Sequence, residues 1–169
     1  MNNAQYSASV PVFKQMLVAL AAILAKADAH AQAKNIEPAA LLQARLFPDM
    51  FALVRQVQIA TDFARGVSAR LANVDVPVAE NAEVSFADLQ ALIAKTLTFL
   101  EGITAPQMLG SESREVILRP GTPKEKKLAG QVYLLQYGLP QFFFHVAAVY
   151  SILRHNGVEI GKRDFMGAY

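Results

Sequence analysis

Gln141 and His145 stand four residues apart in the run Pro140-Gln141-Phe142-Phe143-Phe144-His145. On a helix that spacing puts the amide and the imidazole side by side on one face. An imidazole titrating near neutrality is the side chain best suited to general-base work or to holding a divalent metal. The surrounding aromatic residues make unpaired polar atoms costly, so the pair calls for a partner or a ligand. Phe142, Phe144 and Tyr150 supply an apolar lining, which with a few converging polar groups has the character of a small-molecule pocket. The alternative is a pair of core side chains satisfied by a neighbouring helix. His30 and His155 lie near expected helix ends, where an imidazolium favours the C-terminal dipole. Asp62 is a single carboxylate within a helix.

The remaining chemistry-bearing patterns are missing. The chain has no cysteine, and therefore no disulfide, thiolate nucleophile or cysteine zinc site, which is compatible with a reducing cytoplasm. No Gly-x-Ser-x-Gly elbow occurs, and Gly121-Thr122-Pro123-Lys124 lacks the glycine spacing of a phosphate-binding loop. A net charge of +2 with scattered basic residues gives no footprint for nucleic acid. With 53% hydrophobic and 18% charged residues the composition is more apolar than average, which points to a homodimer.

Four long helices position these groups in one domain spanning 1–169. The first runs from Ser9, with Pro11 in its opening turn, to Lys34-Asn35, and repeats Phe13, Met16, Leu17, Leu20, Leu24 and Ala27 at helical spacing. Its charged Lys26 and Asp28 argue against an export signal, and its uninterrupted apolar run is short for a membrane span, so no membrane partner is expected. A helical turn follows Pro38. The second helix is expected from Asp49, acting as its cap, with a stripe through Met50, Val54, Val57, Thr61, Ala64, Ser68 and Leu71.

After a linker over 73–84, Ser85-Phe86-Ala87-Asp88 reads as a capping box opening the third helix. A hairpin insertion pairs Glu115–Leu118 with an arm near Lys127–Ala129. The fourth helix, bent near Gly138 and Pro140, ends at Asn156-Gly157, with Phe143, Val146, Tyr150 and Leu153 facing inward. The C-terminal 158–169 suits packing on its own bundle or on a partner.

His145-Val146-Ala147-Ala148, Leu153-Arg154-His155-Asn156-Gly157 and the following Asp164-Phe165 resemble the last helix of the DinB/YfiT-like superfamily. Pro48-Asp49-Met50-Phe51 and Phe143-Phe144-His145 are similar to a branch of uncharacterised bacterial proteins within it. The resemblance implies an all-α, DinB-like four-helix bundle in up-down-down-up order, with the longer connection between helices two and three and frequent dimerisation; the short β-hairpin read from the residues is then an insertion before the last helix.

Metal-binding members of the superfamily use three histidines, one from helix two and two from helix four. The helix-four positions fall on Gln141 and His145. The helix-two position falls on Gln56, with Gln58 as the alternative. Amide oxygens are poor ligands for zinc or nickel, so no metal or other cofactor is expected at this degenerate Gln56, Gln141, His145 set. The expectation is a small-molecule-binding or non-catalytic cytoplasmic homodimer. The alternatives are a metal- or thiol-dependent transferase or isomerase using His145, and a structural, stress-associated dimer.

Overall fold

In the computed structural model, which describes residues 3–169, the chain forms a four-helix bundle. Helix α1 is Val10–Lys34, α2 is Leu53–Ala72, α3 is Phe86–Glu101 and α4 is Leu139–His155. Around the bundle α1 lies against α3, α3 against α2, and α2 most extensively against α4, in the up-down-down-up order. Running α2 and α3 the same way requires the chain between them to travel the length of the bundle. A 20-residue helix is about 30 Å long, and the irregular stretch over 74–85 can reach about 40 Å when extended, so it suffices. The longest connection is a different one from that expected. It is 102–129, between α3 and α4, because that segment carries the hairpin.

The local signals at the helix ends act as their chemistry dictates. Pro11 sits in the first turn of α1, and Asn35 closes that helix at φ 51°, a left-handed conformation asparagine tolerates. Ser85 Oγ accepts from Asp88 N at 3.1 Å, while Asp88 Oδ2 accepts from Ser85 N at 3.0 Å, completing the capping box of α3. These bonds, with a further one from Val84 N, hold the Asp88 carboxyl below the usual carboxylate range. The hairpin pairs Glu115–Leu118 with Lys126–Ala129, Glu115 opposite Ala129.

Helix α2 departs from expectation at its start. It opens at Leu53 with Ala52 as cap residue, not at Asp49, and no side chain caps it. Residues 45–52 form an irregular segment instead, pinned where Arg45 Nη1 donates to Met50 O at 2.7 Å.

Before α4 the chain is already helical from Gly130, and Tyr133–Gly138 has π-type bonding. Pro140 has no N–H to offer the carbonyl a turn earlier, and a widened π turn accommodates such a gap. Gly138 and Gly130 permit the close passage of this segment. A Cβ at Gly138 would lie 2.6 Å from Val67 Cγ2, and one at Gly130 only 1.9 Å from Ser111 O.

The core is built from Phe13, Leu17, Leu20 and Leu24 of α1, Val57, Ala64, Val67 and Leu71 of α2, Leu89, Ile93 and Leu100 of α3, and Phe142, Val146, Val149 and Leu153 of α4. Phe13 and Phe142 meet edge to face at 4.8 Å, an arrangement that favours aromatic pairs. The inward stripe of α4 is therefore Phe142-Val146-Val149-Leu153: Val146 and Leu153 face the core as expected, while Phe142 and Val149 take the places expected for Phe143 and Tyr150. Phe143 is exposed and Tyr150 half-buried.

Tyr150 packs edge-on against Phe165, 5.8 Å between centroids. The C-terminal segment folds back on its own bundle, where Lys162–Met166 lies on α1 through Lys26 Nζ to Asp164 Oδ1 at 2.7 Å and Gln15 Nε2 to Met166 O at 2.8 Å. The helical stretch Ala4–Lys34 is long and apolar enough to cross a membrane by length and composition, with mean hydropathy 1.8, more than its longest apolar run suggests. Half of its most apolar 18-residue portion is buried inside the bundle.

Candidate functional site

The site grows from α2 and α4, the most closely packed pair of helices. Gln56 lies on the first turn of α2 and His145 in the second turn of α4, both buried. His145 Nδ1 and Gln56 Oε1 are 2.6 Å apart. The other end of the amide is also committed, since Gln56 Nε2 donates to Phe51 O at 3.1 Å. An amide that donates through nitrogen to a carbonyl must present its oxygen to the imidazole. His145 therefore carries its proton on Nδ1, and the Nε2 lone pair is left as an acceptor to which no described residue donates.

Two rings frame the imidazole. Phe63 stacks on it at 6.1 Å and 16°, and Phe144 meets it edge-on at 5.2 Å and 88°. Burial pushes the His145 pKa below its ordinary value, and the Arg55 guanidinium adds to the shift. Arg55 is held nearby, with Nη1 donating to Gln58 Oε1 at 3.2 Å, while Gln58 Nε2 donates to Glu83 Oε2 at 2.8 Å. The imidazole is thus neutral at neutral pH, a form able to accept a proton or a hydrogen bond at Nε2.

Of the residues the sequence singled out, the fold joins Gln56 directly to His145. Gln58, the alternative position, turns instead to Arg55 and Glu83. Gln141 is half-buried and lines a recess of about 250 Å³ with Tyr137, Pro140 and Phe144, apart from the Gln56–His145 hydrogen bond. Phe142 is in the core and Phe144 is 56% exposed, so the aromatic lining is split between interior and surface. Tyr150 faces Phe165. His155 is exposed at the end of α4, and Asp62 pairs with Arg65.

Sequence reasoning missed Phe63, Arg55 and the Phe51 carbonyl. The signal for Phe63 was available, because it lies seven residues after Gln56 and so on the same face of α2. The Phe51 carbonyl depends on where α2 begins, which no local cap announces.

Among the described residues no three His, Cys, Asp or Glu side chains gather as a metal site. The donors present do not fit zinc or nickel. One imidazole nitrogen is available, the Gln56 oxygen is occupied by the His145 proton, and Gln141 contributes at best an amide.

The bundle, its inserted hairpin and a polar pair between the second and fourth long helices define a DinB-like protein. A crystal structure of a DinB family member from Shewanella denitrificans superposes with a TM-score of 0.91 at 38% identity, covering 97% of this chain and 92% of that one. Residues 5–166 match a family described as a domain of unknown function, DUF1993, and the chain belongs to that family. No match to a curated protein was found.

Proposed function

We propose that this chain is a non-catalytic, small-molecule-binding DinB-type bundle in which the Gln56–His145 pair takes the place of a metal centre. The observation that carries the reading is the 2.6 Å bond with its amide fixed by Phe51, because it leaves a neutral imidazole with one defined lone pair. The ligand that suits such a group is a small aromatic molecule offering one O–H or N–H to Nε2 and stacking on the exposed face of Phe144. An open recess of about 250 Å³ lies beside Phe144, the ring that meets His145 edge-on, and its lining of Gln136, Tyr137, Pro140 and Gln141 does not include His145 itself.

Support for a homodimer comes from the same end of the molecule. Phe47 is 63% exposed, Phe51 54% and Phe144 56%, an unusual outlay of aromatic surface for a monomer. A second reading uses the same lone pair as a general base in a transferase or isomerase, and the neutral imidazole favours it.

Titration of 15N-histidine-labelled protein with phenol tests the ligand-binding reading. The His145 Nε2 resonance is expected to move toward that of a hydrogen-bond acceptor in use, saturably, and the effect should vanish in Phe144→Ala. No perturbation at His145 would overturn the ligand-binding reading. Light scattering across a dilution series reads the dimer, and a monomer at all concentrations would overturn it.

A further inference from the structure

A second cleft, of about 230 Å³, opens between α2, the π-type stretch 133–138 and the end of the first hairpin strand. Gly66 and Arg70 of α2, Tyr133 and the hairpin's Arg119 belong to its wall, whereas neither Gln56 nor His145 does. Glycine inside a helix weakens it, but at Gly66 the missing side chain makes room for a cation. A Cβ there would lie 2.6 Å from Arg70 Nη1, so the guanidinium lies back along α2 although Arg70 is an exposed residue. The same Nη1 donates to Tyr133 Oη at 3.3 Å. Both neighbours are part of the wall, and together they place the head of Arg70 at the cleft.

Tyr133 is 1% exposed, and burial pushes its pKa up, so the phenol stays protonated. Its oxygen accepts from Arg70, while no described residue accepts its proton. Only one of the five N–H groups of Arg70 is committed by that bond. Arg119 adds a second cation from the hairpin turn. Its backbone holds a left-handed φ of 51°, uncommon for a side chain of this kind, and its carbonyl accepts from Thr122 Oγ1 at 2.9 Å.

The charge balance at this wall selects the ligand. Asp62 is the one carboxylate among the lining residues, and it is engaged by Arg65, a buried side chain whose Nη1 is anchored on Thr96 of α3. Arg70 and Arg119 have no acidic partner among the described residues, which leaves the cleft net positive. Two guanidiniums from separate elements, with a hydroxyl donor beside one of them, suit a dianion with three terminal oxygens better than a carboxylate with two. Tyr133 and Tyr137 stack at 5.9 Å, and Phe63 meets Tyr137 edge-on at 5.8 Å, giving the cleft an aromatic side.

We infer that this cleft binds a phosphoryl group, its oxygens on Arg70, Arg119 and the Tyr133 hydroxyl. The source is a small phosphate monoester or free phosphate.

Calorimetric titration of the full chain with phenyl phosphate and with inorganic phosphate tests the inference, at constant ionic strength and a mildly alkaline pH where both are dianions. Binding at one site per chain is expected. Tighter binding of phenyl phosphate identifies a monoester as the source, and equal affinity identifies free phosphate. Arg70→Met and Arg119→Met should each weaken binding about tenfold or more, through loss of charge-assisted bonds. Tyr133→Phe keeps the ring and should weaken it severalfold. Gly66→Ala separates a binding role of Arg70 from a structural one. Its methyl displaces the guanidinium, so affinity should fall while the melting temperature holds or rises with helix propensity. Phe144→Ala should leave the affinity unchanged, which distinguishes this site from the one proposed above. Absence of binding by either phosphate, or affinity unchanged in both arginine variants, overturns the inference.

Discussion

The Nδ1 of His145 and the Oε1 of Gln56 meet 2.6 Å apart across the interface of α2 and α4, 89 residues apart in the chain. Neither group has another side-chain hydrogen-bond partner among the described residues. The bond therefore ties the two helices and sets the histidine tautomer at the same time. Gln56→Leu strands the Nδ1 proton and should cost about 1–3 kcal/mol, the usual range for a buried donor left unpaired. Chemical denaturation reads the loss. An unchanged midpoint would show that the pair contributes nothing to stability.

The depressed pKa of His145 gives stability a direction with pH. Its folded-state pKa lies below the ordinary 6.5. Above 6.5 the imidazole is neutral in both states and the contribution is complete. As pH falls below 6.5 the unfolded chain binds a proton first, so stability falls until the folded-state pKa is reached. Melting temperature should decline through that window, and His145→Gln should flatten the decline. Gln56→Glu should reverse its sign, because a carboxylate beside the ring raises the folded-state pKa and stabilises the imidazolium.

The donor set at Gln56, Gln141 and His145 should not hold zinc or nickel tightly. Elemental analysis of protein purified without a metal-affinity tag is expected to find less than stoichiometric metal. Titration should likewise show no high-affinity site. One equivalent of tightly held ion would restore the metalloenzyme reading.

Gly130 tolerates no side chain, because a Cβ there would fall 1.9 Å from the Ser111 carbonyl oxygen. The obstacle is the Ser111 backbone, which cannot swing aside as a side chain can, and Leu71 Cδ2 closes in at 3.1 Å. Gly130→Ala should destabilise by about 1–3 kcal/mol or more through this overpacking. Gly157→Ala is a useful contrast. It has open space around it, and its cost should come from its φ of 87° alone.

Thr96→Val probes the buried cation from the helix opposite. It removes the acceptor for Arg65 Nη1 while keeping side-chain volume, and should cost about 1–3 kcal/mol. Thr96→Ser retains the hydroxyl and should recover most of that stability.

Those elements whose physics is local were legible in the chain. Pro11 and Asn35 mark α1, Ser85 and Asp88 cap α3, and Gly157 stops α4, each by a conformation or bond that involves only near neighbours. The start of α2 was not legible, because Ala52 offers no capping group and the turn before it is held by Arg45 reaching the Met50 carbonyl. On the inward face of α4, Val146 and Leu153 were legible, but Phe142 and Val149 stand where Phe143 and Tyr150 were expected. The sequence of α4 is apolar on nearly every side, so periodicity leaves the rotation open and the packing of Phe142 on Phe13 selects it.

For the polar pair of Gln141 and His145, the sequence alone determined that an imidazole would sit among aromatic rings and need a partner. The tertiary fold chose which partner. Gln141, the helical neighbour, stays at a surface recess, while Gln56 arrives from another helix with its amide already oriented by Phe51. Proximity along a helix follows from a spacing of four, but a hydrogen bond between helices depends on their rotation, register and starting points, which only the packed core sets.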